Sequence, residues 1–385
     1  MSNGPSFGIT SFHIEGFRGI KDTSVEGIPA DTKWIFLTGK NGGGKTSVLQ
    51  ALFVGLFGNR DKKLILEDGE FDINIGLRHG KSSYFKATTG LLDGASAGVN
   101  DLPSDDDLIR KTLAYGASRL NVSVFGEEKS AQSYSLFNSD GILLDIDPEL
   151  RVMTYRSSLP ELMYKDEKLV NLLKKRVEAI KSLFLRLMPN IEKIEVDVAK
   201  DKVFFYEKDD LGEKLNTAKN FNQLASGNRN IIAMIGDMVI RLFNTQPEIS
   251  TPEQLEGIVL IDELDVHLHP TWQKALPGLL SEIFPKIQFI ASTHSPIPLL
   301  GAPKESVVLK VHQSSEAGIT VEKLDIDLTR LLPNSLLTSP IFDLEEIIPT
   351  ANTGPKDLLT EDSFEEAMAN EEIKNRLKKL AQALK

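Results

Sequence analysis

Gly39-Lys40-Asn41-Gly42-Gly43-Gly44-Lys45-Thr46 constrains what this chain can fold into more than any other stretch. It fits the pattern G-x-x-x-x-G-K-[ST], in which glycines let the backbone turn so tightly that successive amides point inward at a phosphate. The flanking residues agree. Trp34-Ile35-Phe36-Leu37-Thr38 reads as a short buried strand, and beyond the loop Val48, Leu49, Leu52, Phe53 and Leu56 recur at helical spacing. Strand, loop and helix in that order aim the positive end of a helix dipole, beginning near Lys45, at any anion in the loop. There Lys45 reaches the outer phosphates of a nucleotide and the Thr46 hydroxyl is placed for Mg²⁺, within a donor set running from Gly39 to Ser47.

Two later strands end in the residues that chemistry on a nucleotide needs. Ile258-Val259-Leu260-Ile261 delivers Asp262 and Glu263 at its C-terminal end, the ligand-binding edge of an open parallel sheet. Asp262 is expected to orient Mg²⁺, and Glu263 to polarise an attacking water. Ile290-Ala291-Ser292 runs into Thr293-His294-Ser295-Pro296, which places a histidine where it can sense a γ-phosphate. A histidine in a turn is more often an ordinary surface residue; its position after an Asp-Glu strand is what favours the sensor. His267 and His269 stand two apart with no cysteine in the chain, so structure or a subunit contact is preferred to a metal site.

At 385 residues the chain is long enough for one large core or two modest ones. The absence of cysteine excludes disulfides and thiolate metal sites and fits a cytoplasmic location. Neither a signal peptide nor a membrane span is expected, because the longest apolar candidate, 231–243, is broken by Asp237 and Arg241. A net charge of −11 argues against a broadly basic nucleic-acid surface and leaves a local basic groove open.

Residues 70–90 and 120–137 read as antiparallel strands, separated by a Gly-, Ser- and Asp-rich surface loop over 90–107. From Glu167 to Leu187 an apolar face (Leu169, Leu172, Leu173, Val177, Ile180, Phe184, Leu187) predicts one long helix. Its other face carries Lys168, Lys174, Lys175, Lys181 and Arg186, a solvated surface before it is a nucleic-acid contact. Strand runs over 191–198 and 203–207 follow, then a helix over 227–243, a strand over 257–262, a helix after Pro270 and a strand over 287–292. That alternation implies a parallel sheet covered by helices. The expected parts are an N-terminal portion of the core (1–145), a helical insertion (146–190), the rest of the core (191–345) and a polar tail (346–385) with a docking helix from Glu361.

Between the glycine loop and Asp262-Glu263, the stretch Gln223-Leu224-Ala225-Ser226-Gly227-Asn228-Arg229-Asn230 opens a helix. It resembles the signature motif of ABC-type ATPases, in the soluble branch that contains SMC, RecF and OLD proteins. The order agrees: P-loop, long insertion, Ser226-Gly227, Asp262-Glu263, Leu264-Asp265 as a D-loop and His294 as a switch histidine. Phe17-Arg18-Gly19 also looks like this branch. Tyr115-Gly116-Ala117-Ser118-Arg119, Ser135-Leu136-Phe137 and 336–342 look like compact bacterial ATPases of antiphage-defence and OLD-like systems. The ATPase subunit of Septu systems, which works with a separate nuclease, is one similar type.

The resemblance implies an α/β P-loop NTPase: an ABC-type ATPase head with an antiparallel β subdomain and a helical insertion. It implies ATP and Mg²⁺ as ligands and a homodimer that sandwiches ATP, with Ser226 and Gly227 completing the partner's site. Arg119 is either an extra phosphate contact or part of a surface ion pair. Asn228 stands where many signatures carry Gln or Glu, and no Q-loop glutamine is visible.

With Asp325-Ile326-Asp327 better read as a charged strand end, no nuclease domain is expected, and any cutting would belong to a separate nuclease or toxin chain. The leading function is the sensor or motor of a bacterial defence complex. A nucleotide-dependent scaffold that needs no turnover, and a RecF-like repair ATPase, remain alternatives; a membrane transporter's ATPase fits badly.

Overall fold

The computed structural model describes residues 4–57, 70–80, 82–90, 110–117, 134–137, 143, 146–158, 167–209, 212–331 and 333–342, with residues 373 and 376. The chain divides into two units, Met1–Phe342 and Asp343–Lys385. The loop expected over 90–107, the strands expected over 120–133, Arg119 and the helix expected from Glu361 lie outside the described residues.

In chain order, the strands of the first half are β1 (Phe7–Phe17), β2 (Ile20–Val25), β3 (Trp34–Thr38), β4 (Phe71–His79), β5 (Ser82–Gly90) and β6 (Thr112–Tyr115), with α1 (Lys45–Phe57) after β3. Then come α2 (Tyr134–Phe137), α3 (Ile146–Ser158), α4 (Glu167–Leu187), β7 (Ile191–Asp197), β8 (Lys202–Lys208), β9 (Lys214–Lys219) and α5 (Ser226–Thr245). The last group is β10 (Gly257–Ile261), α6 (Pro270–Ile283), β11 (Ile287–Ser292), α7 (Ile297–Leu300), β12 (Val307–Ser314), β13 (Gly318–Leu324) and α8 (Pro333–Thr338).

One ten-stranded sheet, in the order β5-β4-β1-β2-β13-β12-β3-β11-β10-β6, organises the first unit. Strands β12, β3, β11, β10 and β6 run parallel to one another. The β5-to-β13 side is antiparallel, so the antiparallel strands extend the parallel core rather than forming a sheet of their own. Burial explains why β3, β10 and β11 read as unbroken apolar runs: they are covered on both faces. Trp34, Phe36, Val259, Ile261 and Phe289 face one core with α3 to α6, while Ile35, Leu37, Ile258, Leu260 and Ile290 face another with α1, β1 and β4. Trp34 is stacked on Phe36 and Phe289, and its indole N–H donates to Ser281 Oγ at 2.8 Å, which pins α6 to the sheet.

Strands β7, β8 and β9 form a separate antiparallel sheet. Helix α4 packs beside it on the expected face, with Val177, Ile180, Phe184 and Leu187 buried and Leu172 and Leu173 half-buried. Val170 and Leu183 are buried and Leu169 is exposed. A buried cation not singled out by sequence lies on the same helix: Arg176 donates to the carbonyls of Phe243, Gln246, Pro247 and Ile249 at 2.8–3.0 Å, closing the end of α5. Burial pushes its guanidinium below the usual arginine value. On the opposite face Lys181 pairs with Glu178, and Arg186 with Glu253 and Glu282.

One expected strand is corrected. Residues 134–137 are helical, not extended, with Phe137 packed edge-on against Phe53 of α1. Asp327, after β13, accepts from the Thr329 N–H and hydroxyl, as befits a charged strand end that starts a helical turn. Among the described residues no helix is long and apolar enough to cross a membrane.

Candidate nucleotide site

The glycine loop is shaped by strands far away in sequence. Gly39 has φ +138, and a Cβ there would lie 2.3 Å from the Val311 carbonyl of β12; at Gly44, φ +95, it would strike Ile319 of β13 at 2.5 Å. At Gly39 the clash is with backbone, so no other residue fits without moving the sheet; at Gly44 it is with a side chain, and the positive φ is what favours glycine. The Gly43 N–H donates to the Lys40 carbonyl at 3.0 Å, and α1 starts at Lys45, so the loop opens onto a helix N-terminus. Lys40, Asn41 and Gly42 are exposed along its rim.

Lys45 is buried, 4% exposed. Its ammonium donates to the carbonyls of Gly39 (2.9 Å) and Lys40 (3.0 Å) and lies 3.2 Å from His294 Nδ1. Burial draws the Lys45 pKa below its usual value, against the opposing fields of Asp262, Glu263 and Asp265. Burial, then the Lys45 charge, lowers that of His294. A neutral imidazole with Nδ1 accepting from Lys45 satisfies both.

This lowering fixes the sign of a pH dependence. Above the ordinary histidine value of 6.5 the folded and unfolded chains are both neutral here, and stability does not depend on this group. Below it the unfolded chain takes up the proton more readily, so stability falls as pH falls. Thermal midpoints measured between about pH 8 and pH 5 should decline on the acid side, and His294→Gln should remove part of that decline. Identical curves for the two proteins would exclude the contact.

Thr46 Oγ1 donates to Asp262 Oδ2 at 2.7 Å. The other Asp262 oxygen accepts from the Ser292 hydroxyl, whose oxygen in turn accepts the Glu263 N–H at 2.8 Å. The Asp262 N–H donates to the Tyr115 carbonyl at 2.7 Å, so β6 and β11 both hold the end of β10. Glu263 sits at φ +50, a left-handed conformation that costs a non-glycine residue about 1–2 kcal/mol and is held here by the Ser292 bond. Thr46 and Asp262 offer two hard oxygens side by side, a donor set that fits Mg²⁺ bound by few protein ligands and by phosphate.

Ser226 and Gly227 begin α5 on the other side of the turn that comes after Glu263. Gly227 faces the His267 carbonyl, 3.5 Å from where a Cβ would be, and Asn230 Nδ2 donates to the Val266 carbonyl at 3.3 Å. Asn228 is buried with its amide nitrogen unpartnered among the described residues. His269 caps α6, accepting from the Thr271 N–H; His267 is exposed at φ +63; and among the described residues no histidine–carboxylate cluster could hold a metal.

Of the residues singled out by sequence, the structure therefore brings together the loop from Gly39 to Thr46 with Asp262, Glu263 and His294. Ser47 comes next, half-buried on α1, and Arg119 lies outside the described residues.

Other contacts were not foreseen. Arg18, at the turn between β1 and β2, donates to Gln50 Oε1 (2.7 Å) and lies over the rings of Phe17 and Phe137; Gln50 donates to the Leu136 carbonyl (2.9 Å). Phe17-Arg18-Gly19 and Ser135-Leu136-Phe137 are thus two sides of one cluster around α1. The Tyr115 hydroxyl donates to Asp237 of α5 at 2.8 Å, and Arg241 braces the same carboxylate. Burial raises the Tyr115 pKa. The strand beside Asp262 is thereby tied to the helix that Ser226 begins.

A family model described as an AAA domain matches residues 11–236, more than half of the chain, and a second AAA-domain model, whose description refers to a type IV toxin–antitoxin system, matches 239–297. Septu protein PtuA of Bacillus mycoides (strain KBAB4) is 29% identical over 357 residues, covering 89% of this chain and 46% of that protein. Retron Vc95 probable ATPase of Vibrio cholerae serotype O1 biovar El Tor is 44% identical over 84 residues, 22% of this chain and 16% of the relative. The chain thus spans less than half the length of these relatives. Among solved structures, an Smc head bound to the C-terminal winged-helix domain of ScpA superposes with a TM-score of 0.51 at 15% identity, covering 82% of this chain and 97% of the other. With the glycine loop, the Asp262-Glu263 strand end and the matched span of 11–236, the chain belongs to the AAA-domain family, an α/β P-loop NTPase with the fold of an Smc head.

Proposed function

We propose that this chain binds and hydrolyses ATP, closes with a second copy around the nucleotide, and governs a separate nuclease or toxin chain in bacterial antiphage defence. The observation that carries the ATPase reading is the convergence of Lys45, Thr46, Asp262, Glu263 and His294, drawn from one loop and two strand ends.

Each group has a task its position suits. Lys45 exchanges the Gly39 and Lys40 carbonyls for phosphate oxygens, and the amides of 42–46 add neutral donors. Glu263 takes a proton from the attacking water, and His294, neutral and released from Lys45, donates to the γ-phosphate. Thr46 and Asp262 would hold Mg²⁺, which neutralises phosphate charge when bound. Ser226, Gly227 and the N-terminus of a 20-residue helix offer an anion site separate from the chain's own P-loop, suited to the γ-phosphate held by a partner copy. Nucleotide at two such interfaces favours closure by several kcal/mol, enough to shift a two-state equilibrium.

The defence role rests on likeness to a Septu protein and a retron ATPase over part of their lengths. Mass measurement of Glu263→Gln with ATP and Mg²⁺ tests the assembly. A dimer that reverts to monomer when nucleotide is removed is expected; a monomer at all nucleotide concentrations overturns the sandwich. Co-purification from the native host identifies the effector chain.

A further inference from the structure

Gln273, on the first turns of α6, uses both ends of its carboxamide. Nε2 donates to the carbonyls of Asp265 (3.1 Å) and Leu268 (3.0 Å), while Oε1 accepts from the Ser295 hydroxyl at 2.9 Å. Those partners belong to different loops. Asp265 and Leu268 lie on the turn after Glu263; Ser295 lies one residue after His294. A second link joins the same loops, because Asp265 Oδ1 accepts from the Thr293 hydroxyl (2.6 Å) and weakly from the His294 N–H (3.3 Å). Asp265 is thus gripped at its carbonyl by Gln273 and at its carboxylate by the histidine loop.

The grip matters because the turn's own bonds are few: the Val266 N–H donates to the Glu263 carbonyl at 3.1 Å and the Leu268 N–H to the Asp265 carbonyl at 3.3 Å. Glu263 and His267, near its two ends, both have left-handed backbones (φ +50 and +63), and neither is glycine. Ser292 anchors the near end through the Glu263 and Leu264 N–H groups, and Gln273 anchors the far end, so loss of the Gln273 contacts loosens the part from Asp265 to Leu268. It also abuts the start of α5 through Gly227 and Asn230.

We propose that Gln273 is a positioning residue that clips the loop of Glu263 to the loop of His294, so that the proton acceptor, Glu263, and the hydrogen-bond donor to the γ-phosphate, His294, reach the nucleotide in register. The proposal rests on the ATPase reading above for its kinetic consequence, and on the two-loop geometry alone for its structural one.

Gln273→Met keeps the length and removes every hydrogen bond. It should lower kcat roughly 10–100-fold, the cost of misplacing reacting groups by about 1 Å, with KM and the affinity for a non-hydrolysable ATP analogue within about twofold of wild type. Ser295→Ala removes one arm of the clip. If the two residues act as one device, the double variant is no slower than Gln273→Met alone.

Amide hydrogen exchange supplies the readout that turnover cannot. In Gln273→Met, exchange over 264–268 and over 293–297 should both accelerate by about tenfold or more, with the β10 and β11 amides unchanged. Parallel losses in kcat, KM and thermal midpoint, additive effects with Ser295→Ala, or acceleration in one loop only would each overturn the clip. Wild-type protein that binds ATP without turnover would instead refute the ATPase reading, and the exchange result would still decide whether Gln273 joins the loops.

Discussion

Glu263→Gln should reduce ATP turnover by about 10²–10⁴-fold, the contribution of a positioned general base, while nucleotide binding survives. The substitution keeps the side chain's size and shape and changes its ability to accept a proton. The left-handed backbone at Glu263 is held by its own N–H on Ser292, a bond that glutamine retains, so fold stability should hold. Phosphate release under single-turnover conditions, alongside equilibrium binding of ATP, separates chemistry from affinity. Turnover within a few-fold of wild type would remove Glu263 from the reaction. The same variant decides between turnover and scaffolding in the cell: if protection against phage persists in Glu263→Gln but is lost in Lys45→Ala, nucleotide occupancy alone is the signal.

Lys45→Ala should weaken ATP binding by about 10–150-fold, the loss of one hydrogen bond to a charged group at roughly 1.5–3 kcal/mol. Its ammonium is already desolvated, which is why its pKa is drawn down, so the phosphate it meets gains an attraction little screened by water. Alanine favours the helix, but the Gly39 and Lys40 carbonyls lose their donor, so a modest loss of stability, on the order of 1–3 kcal/mol, should accompany the loss of binding. Calorimetry with a non-hydrolysable analogue measures the loss. Affinity within twofold of wild type would mean that the triphosphate is bound elsewhere.

How much of the fold and site was legible in the sequence depended on whether a residue's role was local. β3, β10 and β11 could be read because strands covered on both faces are apolar throughout, and Asp262, Glu263 and His294 because each comes directly after such a strand. β12 and β13 gave no comparable signal. Val307–Ser314 is buried for five residues and exposed for three, and β13 meets β2 across nearly three hundred residues of chain. Whether the antiparallel strands stood apart or extended the parallel core was equally invisible, since pairing across such distances leaves no local mark. Residues 134–137 have the aromatic composition of a strand but fold as one turn of helix beneath α1, packing overriding propensity. The buried face of α4 was largely legible from its periodicity, but Arg176 was not, because a cation on a helix reads as solvated until its carbonyl partners are known. Gln273 and Gln50 were missed for the same reason: an isolated glutamine on a helix looks like surface, and only the loops that converge on it give it meaning.

The distance between the glycine loop and its walls also has a meaning in time. Lys45 meets His294 across 249 residues of chain, Thr46 meets Asp262 across 216, and Gly39 and Gly44 fit only against β12 and β13. A chain emerging from the ribosome at about 5–20 residues per second therefore carries an unfinished P-loop for on the order of 10–50 s. Throughout that interval it has the motif but neither its acidic strand end nor its back wall. The nucleotide loop is therefore complete only once residues 262 to 319 have been made, so the nascent chain stays silent toward nucleotide with no inhibitor needed.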